Sequence, residues 1–301
     1  MTNITCISDL IKEIEIEIEN QSLKCNFEIS EKLLFRGQSN IHFEILPSIA
    51  RKPNSAIGNS LVWFESELIN SAKISFPDMF PKDIDPINLL AKLQHYGIPT
   101  RLLDITENPL VGLYFACNLD PDKDGELIAF IDKDEKPTDC GIINAIADTC
   151  NIFEGDFDVF FKSALTKKYF ADEKARIINK QRANPKYLTE MLYSMFDKRE
   201  ASFIYVANMT QRQLLQSGKF LLFHNEFHQE GKKCYFTDEI KSIAKNSNII
   251  YKRYTIPSAN KKAILKQLDY MGINEKWLFS DSPDIVLNNI TKRYKERFSI
   301  F

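Results

Sequence analysis

The chain has 301 residues, 44% of them apolar and 27% charged, with a formal net charge of -2. That apolar content supports a full core and excludes a disordered chain, while the near-neutral balance points to no partner by global charge. There is no run of about 18 apolar residues and no basic or long apolar leader in Met1 to Cys6. No membrane contact and no secretory signal are therefore expected, and the cytoplasm is the expected compartment.

Ile7, Leu10, Ile11, Ile14 and Ile18 recur at helical spacing, and although Glu13 to Glu19 also alternates, the longer pattern predicts an N-terminal helix within residues 1–30. Lys32 to Phe35 is a short apolar strand that ends at Arg36-Gly37. Ile57 to Ile74 reads as a helix with Leu61, Phe64, Leu68 and Ala72 on its inner face. Pro86 to Tyr96 is a second helix closed by Gly97, and Thr100 to Ile105 is extended. Asn108-Pro109 pairs an N-cap residue with proline at the first helical position and starts a buried helix through Cys117. Glu126 to Ile131 is a strand.

From about 132 to 200 the pattern is mainly helical, with Phe153, Phe157, Phe160 and Phe161 on aromatic faces. Strands resume at Ser202 to Ala207 and Lys219 to Phe223, around a short helix Gln211 to Gln216. Cys234 to Thr237 and Ile249 to Ile256 are candidate edge strands, followed by a helix Pro257 to Met271 stopped by Gly272 and a last helix at Asp284 to Phe298. Strands on either side of a helical block predict one α/β (α+β) domain with a mixed sheet over 31–300, a helical insertion at about 133–200 and C-terminal helices. Within the insertion, Lys162 to Lys186 holds eight Lys or Arg against two acidic residues. It is either a solvated helix face or a surface for phosphate backbone.

Two clusters carry chemistry. Arg36 combines a rigid fork of donors suited to phosphate with a neighbouring glycine that allows close approach, and its competing role is a buried ion pair. Gln94-His95-Tyr96-Gly97-Ile98-Pro99-Thr100-Arg101-Leu102-Leu103-Asp104-Ile105-Thr106 gathers donors, acceptors and an imidazole between two apolar helices. His95 is a candidate base, or simply a helix-end histidine beside the dipole. Arg101 and Asp104 either serve a ligand or pair with each other or with Arg36. The six cysteines are scattered and the four histidines lack ligand spacing, so reduced thiols and no metal are expected. Neither a G-x-G-x-x-G, a Walker A, a G-x-S-x-G nor an H-E-x-x-H sequence occurs.

Leu34-Phe35-Arg36-Gly37-Gln38, the stretch Gln94 to Asp104, Asn108-Pro109 and Leu113-Tyr114-Phe115-Ala116 resemble the signature of the FRG domain family. So do Arg212, Gln216, Gly218 and Phe220, and the C-terminal Lys262, Leu265, Leu268 and Gly272-Ile273. The layout of a strand with arginine, a strand ending in Asp104-Ile105-Thr106 and the following helix also resembles ADP-ribosyltransferases. That resemblance implies a fold of that type with NAD as substrate. Arg36, Gly37, Gln38, Gln94, Tyr96 and Arg101 would form the cofactor-binding set, and Arg36, His95, Asp104, Thr106 and Gln216 the catalytic set. The late Glu-x-Glu of such enzymes is replaced here by Gln216-Ser217-Gly218, which leaves Asp104 or Glu226 to supply a carboxylate. The resemblance further implies a toxin or effector of phage defence that modifies nucleic acid, RNA ahead of DNA, with an antitoxin as partner. The alternative is a nucleotide- or nucleic-acid-binding module without turnover.

Overall fold

The computed structural model describes residues 2–24, 32–51, 61–132, 141–149, 157–171, 200–205, 210–230, 233–237 and 239–280. The predicted helix at 284–298, the start of the one at 57–60 and most of the insertion lie outside them.

Seven strands form one mixed sheet in the order β1-β9-β4-β2-β3-β6-β5. They are β1 (Thr2–Asn3), β2 (Lys32–Gln38), β3 (Leu102–Thr106), β4 (Gly125–Asp132), β5 (Ala201–Ile204), β6 (Gly218–Phe223) and β9 (Ile250–Ile256). Only β1 and β9 pair in parallel; the other neighbours are antiparallel. A separate ribbon joins β7 (Phe227–Glu230) to β8 (Lys233–Phe236). The C-terminal strand expected at an edge is thus interior: β9 lies between β1 and β4 and pairs with β4 from Gly125/Ile256 onward.

Alternation along the strands separates two apolar layers. On one face, Phe35, Leu127, Ala129 and Tyr254 meet α1 (Ile7–Lys24), α4 (Pro109–Cys117) and α8 (Ser258–Tyr270). On the same face, Leu102, Phe220 and Leu222 meet α3 (Pro86–His95), α5 (Gly141–Ala147) and α6 (Phe157–Leu165). The opposite face, with Leu34, Leu103, Ile105, Ile128 and Phe130, is covered by Ile45, Ile49, Val62 and Ile240 from connecting segments. Each fully buried aliphatic side chain contributes roughly 1.5–3 kcal/mol relative to an exposed one, so these layers dominate the fold.

The local signals explain the helix limits. Asn108 caps α4 by accepting from the Leu110 N–H at 2.9 Å, and Thr210 with Gln213 forms a capping box for α7 (Gln211–Leu215). Gly97 and Gly272 follow α3 and α8 with φ of 83° and 81°, a conformation open to glycine without a Cβ penalty. The predicted helix over 57–74 differs: Leu61–Phe64 is a 3₁₀ turn and α2 spans Glu65–Ser75. The tighter turn changes the phase of the face, so Val62, Ile69 and Ala72 are buried whereas Leu61 and Phe64 are exposed.

The described part of the insertion is core. Phe160, Phe161, Ala164 and Phe170 are buried in the α3 layer, while Lys162 and Lys168 remain exposed. Among the described residues, no helix is long and apolar enough to cross a membrane.

Candidate functional site

The sheet splits at its centre. β2 pairs with β4 along all seven of its residues, and β3 pairs with β6 along all five, but β2 and β3 share only the register pair Phe35/Thr106. Arg36 therefore stands inside a strand and not at its end, because β4 holds the whole of Lys32–Gln38 extended. Beyond Phe35/Thr106 the strands part, and the Arg36 guanidinium fills the gap by donating through Nη1 to the Asp104 carbonyl at 2.6 Å. Its Nε is buried and has no hydrogen-bond partner.

This half-buried arginine is the core of the site. Burial pushes its pKa down from 12.5 to about 10; the Asp104 charge opposes that and Arg51 adds like-charge repulsion. It therefore remains a cation at neutral pH, but one with little compensation from the protein. Burial likewise lowers the pKa of Arg51, again opposed by Asp104. A desolvated cation with an unused donor favours an anion that brings acceptor oxygens.

A cavity of about 970 Å³ opens on Arg36, a volume suited to a ligand of drug or dinucleotide size. Three arginines line it, Arg36, Arg51 and Arg212, together with the carboxylates of Glu44, Asp104 and Glu239. At the same cavity, Trp63 and Phe43 are 59% and 47% exposed, leaving flat apolar faces for a ring to stack on. Arg212 also lies over the Phe279 ring at 4.4 Å from its centroid. Asp104 is exposed, and its charge acts on both Arg36 and Arg51. Among the described residues, no group of His, Cys, Asp or Glu is arranged to hold a metal.

Six of the residues singled out in the sequence converge here: Arg36, Gly37, Gln38, Asp104, Thr106 and Gln216 all line the cavity. Their roles differ. Gln38 donates to the Glu44 carbonyl at 3.2 Å and keeps a buried, unpartnered Oε1. Gly37 serves helix packing, since an added Cβ would stand 1.9 Å from the Gly112 carbonyl and 2.4 Å from the Ala116 nitrogen of α4. Thr106 is buried and occupied, donating to the Gln216 carbonyl at 2.6 Å and accepting from the Asn108 N–H at 2.9 Å. The Gln216 amide donates to the Leu278 carbonyl at 3.1 Å.

The other four lie elsewhere. Gln94 accepts from the Thr100 hydroxyl at 2.5 Å, and His95 packs edge-on to Tyr96 at 5.0 Å, both outside the cavity lining. Tyr96 is exposed and also edge-on to Phe80. Arg101 is 1% exposed and pairs with Glu65, not with Asp104 or Arg36. The reason is strand geometry: Arg101 to Asp104 spans roughly 10 Å of extended chain, which carries the two side chains to different surroundings. Of the two candidate carboxylates, Asp104 lies in the cavity, whereas Glu226 pairs with Lys241 and is not part of the lining. Sequence reading missed Trp63, Arg51 and Phe43. Trp63 had one available signal, as one of only two tryptophans in the chain.

These features define an α/β protein whose mixed sheet is split over an arginine-bearing cleft. The family model of the FRG domain matches residues 31–125, from the start of β2 to the start of β4, and the chain carries an FRG domain there. The matched segment contains Arg36, Trp63, Arg101 and Asp104, while Arg212 and Gln216 lie beyond it. No curated protein and no solved structure matches the chain.

Proposed function

We propose that the cleft binds a nucleotide through its diphosphate, and that the chain acts as an ADP-ribosyltransferase-like effector with NAD as substrate. The observation that carries this reading is Arg36: a half-buried guanidinium whose buried Nε has no hydrogen-bond partner, beside an open cavity that also holds Arg51 and Arg212. Arginine forks match diphosphate oxygens, and the exposed Trp63 and Phe43 faces suit a base. The exposed Asp104 carboxylate, beside Arg36 and Arg51, supplies the negative charge that an oxocarbenium-like centre needs. In the reaction, the bond from ribose C1′ to nicotinamide breaks and nicotinamide leaves with the electron pair. An acceptor lone pair then forms the new bond to C1′, and the acceptor's proton passes to Asp104 or to water.

The acceptor expected is a nucleic acid, RNA ahead of DNA, approached through exposed lysines such as Lys162 and Lys168. A toxin of phage defence held by an antitoxin is the setting this activity would fit. The test is titration calorimetry with NAD, then incubation with NAD labelled in the adenylate part together with RNA, DNA or cell lysate. Binding lost in Arg36→Ala, and binding kept but transfer lost in Asp104→Asn, are the expected results. No binding of NAD or ADP by the wild-type protein would overturn the reading.

A second reading, binding without turnover, is favoured by one observation. The segment entering β6 offers Gln216, whose amide is already committed to Leu278, where a glutamate would be expected. Tight NAD binding with no labelled product would select it.

A further inference from the structure

The arginine of the Gln94–Asp104 stretch has no place in the cleft, yet it organises a buried polar network. Arg101 Nε donates to the Glu65 Oε1 and Oε2 atoms at 3.0 and 3.1 Å, and its Nη2 pairs with the same carboxylate. Nη1 donates to the hydroxyl of Thr149, just past α5, and to Asn225 Oδ1 at 3.1 Å, just past β6. Asn225 in turn donates to the Thr237 carbonyl at 2.8 Å, and the Arg101 carbonyl accepts from the Phe223 N–H at 3.0 Å. One planar fork thus ties together α2, β3 and the ends of α5 and β6.

Stability alone is a poor reason for such a network. A buried ion pair is commonly matched or surpassed in stability by apolar residues of similar volume, and the best-attested use of such pairs is to fix geometry. What this one fixes is visible in the chain around Glu65. Glu65 opens α2, and two residues before it Trp63 projects at the cleft with 59% exposure. Val62, on the other side of Trp63, is buried in the core. The indole is therefore carried on a 3₁₀ turn held by core packing at one end and by the Arg101 fork at the other. The same arginine sits at the entry to β3, whose Asp104 faces the cleft.

We infer that Arg101 is a positioning residue for nucleotide binding, acting through Glu65 to hold Trp63 at the distance from Arg36 that a base requires when its diphosphate is gripped. The inference rests on the nucleotide reading of the cleft. It makes Trp63 the base-sensing residue and Arg101 its remote support.

The test uses the full chain carrying Trp277→Phe, so that Trp63 is its sole tryptophan, with Arg101→Lys and, separately, Glu65→Gln. Arg101→Lys keeps the charge pair, and Glu65→Gln keeps the shape and one acceptor while leaving Arg101 uncompensated; truncation of either to alanine would open a cavity as well. Trp63 fluorescence anisotropy and iodide quenching report its mobility, and affinity is measured for ADP and for pyrophosphate, which has no base. The expected result is freer, more quenchable Trp63, ADP affinity down by about tenfold, and pyrophosphate affinity unchanged; stacking on one aromatic is worth about 1–3 kcal/mol per base. Equal losses for ADP and pyrophosphate, or no change in either, would overturn the inference. Failure of both variants to fold would also overturn it, by assigning the pair to the core alone. Should the parent protein bind neither ligand, the nucleotide reading itself falls, and unchanged Trp63 anisotropy in the variants would then remove the positioning role as well.

Discussion

Arg36→Met separates a binding arginine from a structural one, because the two roles predict opposite signs for its effect on stability. Burial holds the guanidinium at about 10, well below its ordinary 12.5, so the charged form is strained in the unliganded protein. Because the residue is only half-buried, solvent screening reduces the effect on stability. Against that gain stands the hydrogen bond to the Asp104 carbonyl at 2.6 Å, and a bond to a charged donor contributes about 1.5–3 kcal/mol. The freed carbonyl lies where β2 and β3 already part, so water is available to replace it. The net expectation is a variant at least as stable as the parent, up to about 1 kcal/mol more stable, with a melting temperature higher by about 2 °C. Ligand reverses the order. At a nucleotide concentration near 100 times its Kd the parent gains about 2.7 kcal/mol and the variant nothing, so their melting curves cross. Calorimetric melting with and without ADP measures both effects. A loss of more than about 1 kcal/mol in unliganded Arg36→Met would show the arginine to be a structural pin of the split sheet and refute the reasoning; an undiminished ADP shift in the variant would do the same.

Other substitutions probe the surroundings. Trp63→Ala is expected to weaken ADP binding by at least about fivefold while leaving urea unfolding within about 0.5 kcal/mol, since the indole is 59% exposed. Gly37→Ala places a methyl 1.9 Å from the Gly112 carbonyl, and a loss of about 3 kcal/mol in chemical denaturation is expected as α4 is pushed off the sheet. Lys261→Met strands the carbonyls of Ser39, Leu119 and Asp120, which Lys261 Nζ now reaches at 2.6, 3.1 and 2.9 Å; its melting temperature should fall by several degrees. Asp9 accepts from the hydroxyl and N–H of Thr5 and from the N–H of Cys6, which hold its pKa at about 2 against the usual 3.8. Its contribution is therefore present above pH 3.8 and lost as pH falls through about 2, and Asp9→Asn should flatten the acid limb of stability in that window.

Sequence by itself determined the elements whose signals are local. Periodicity placed α1 and α8, Asn108-Pro109 started α4, and Gly97 and Gly272 marked helix ends that do adopt positive φ. It also singled out Arg36 and Asp104, because an arginine beside glycine on an apolar strand and an aspartate in a polar stretch are departures from local pattern. Tertiary structure alone decided what each polar residue meets. Arg101 looks as exposed to chemistry as Arg36 in one dimension, yet its partner Glu65 lies 36 residues away and seals it in the core. Gly37 looks ligand-facing until α4 arrives against it, and β9 looks like an edge until β1 pairs outside it. Trp63 and Arg51 join Arg36 only because the sheet divides at Phe35/Thr106 and the segments over its face converge there. Hydrophobic period and turn chemistry act over a few residues and are written in the chain, whereas strand order and ion-pair choice are settled by contacts between segments far apart in sequence.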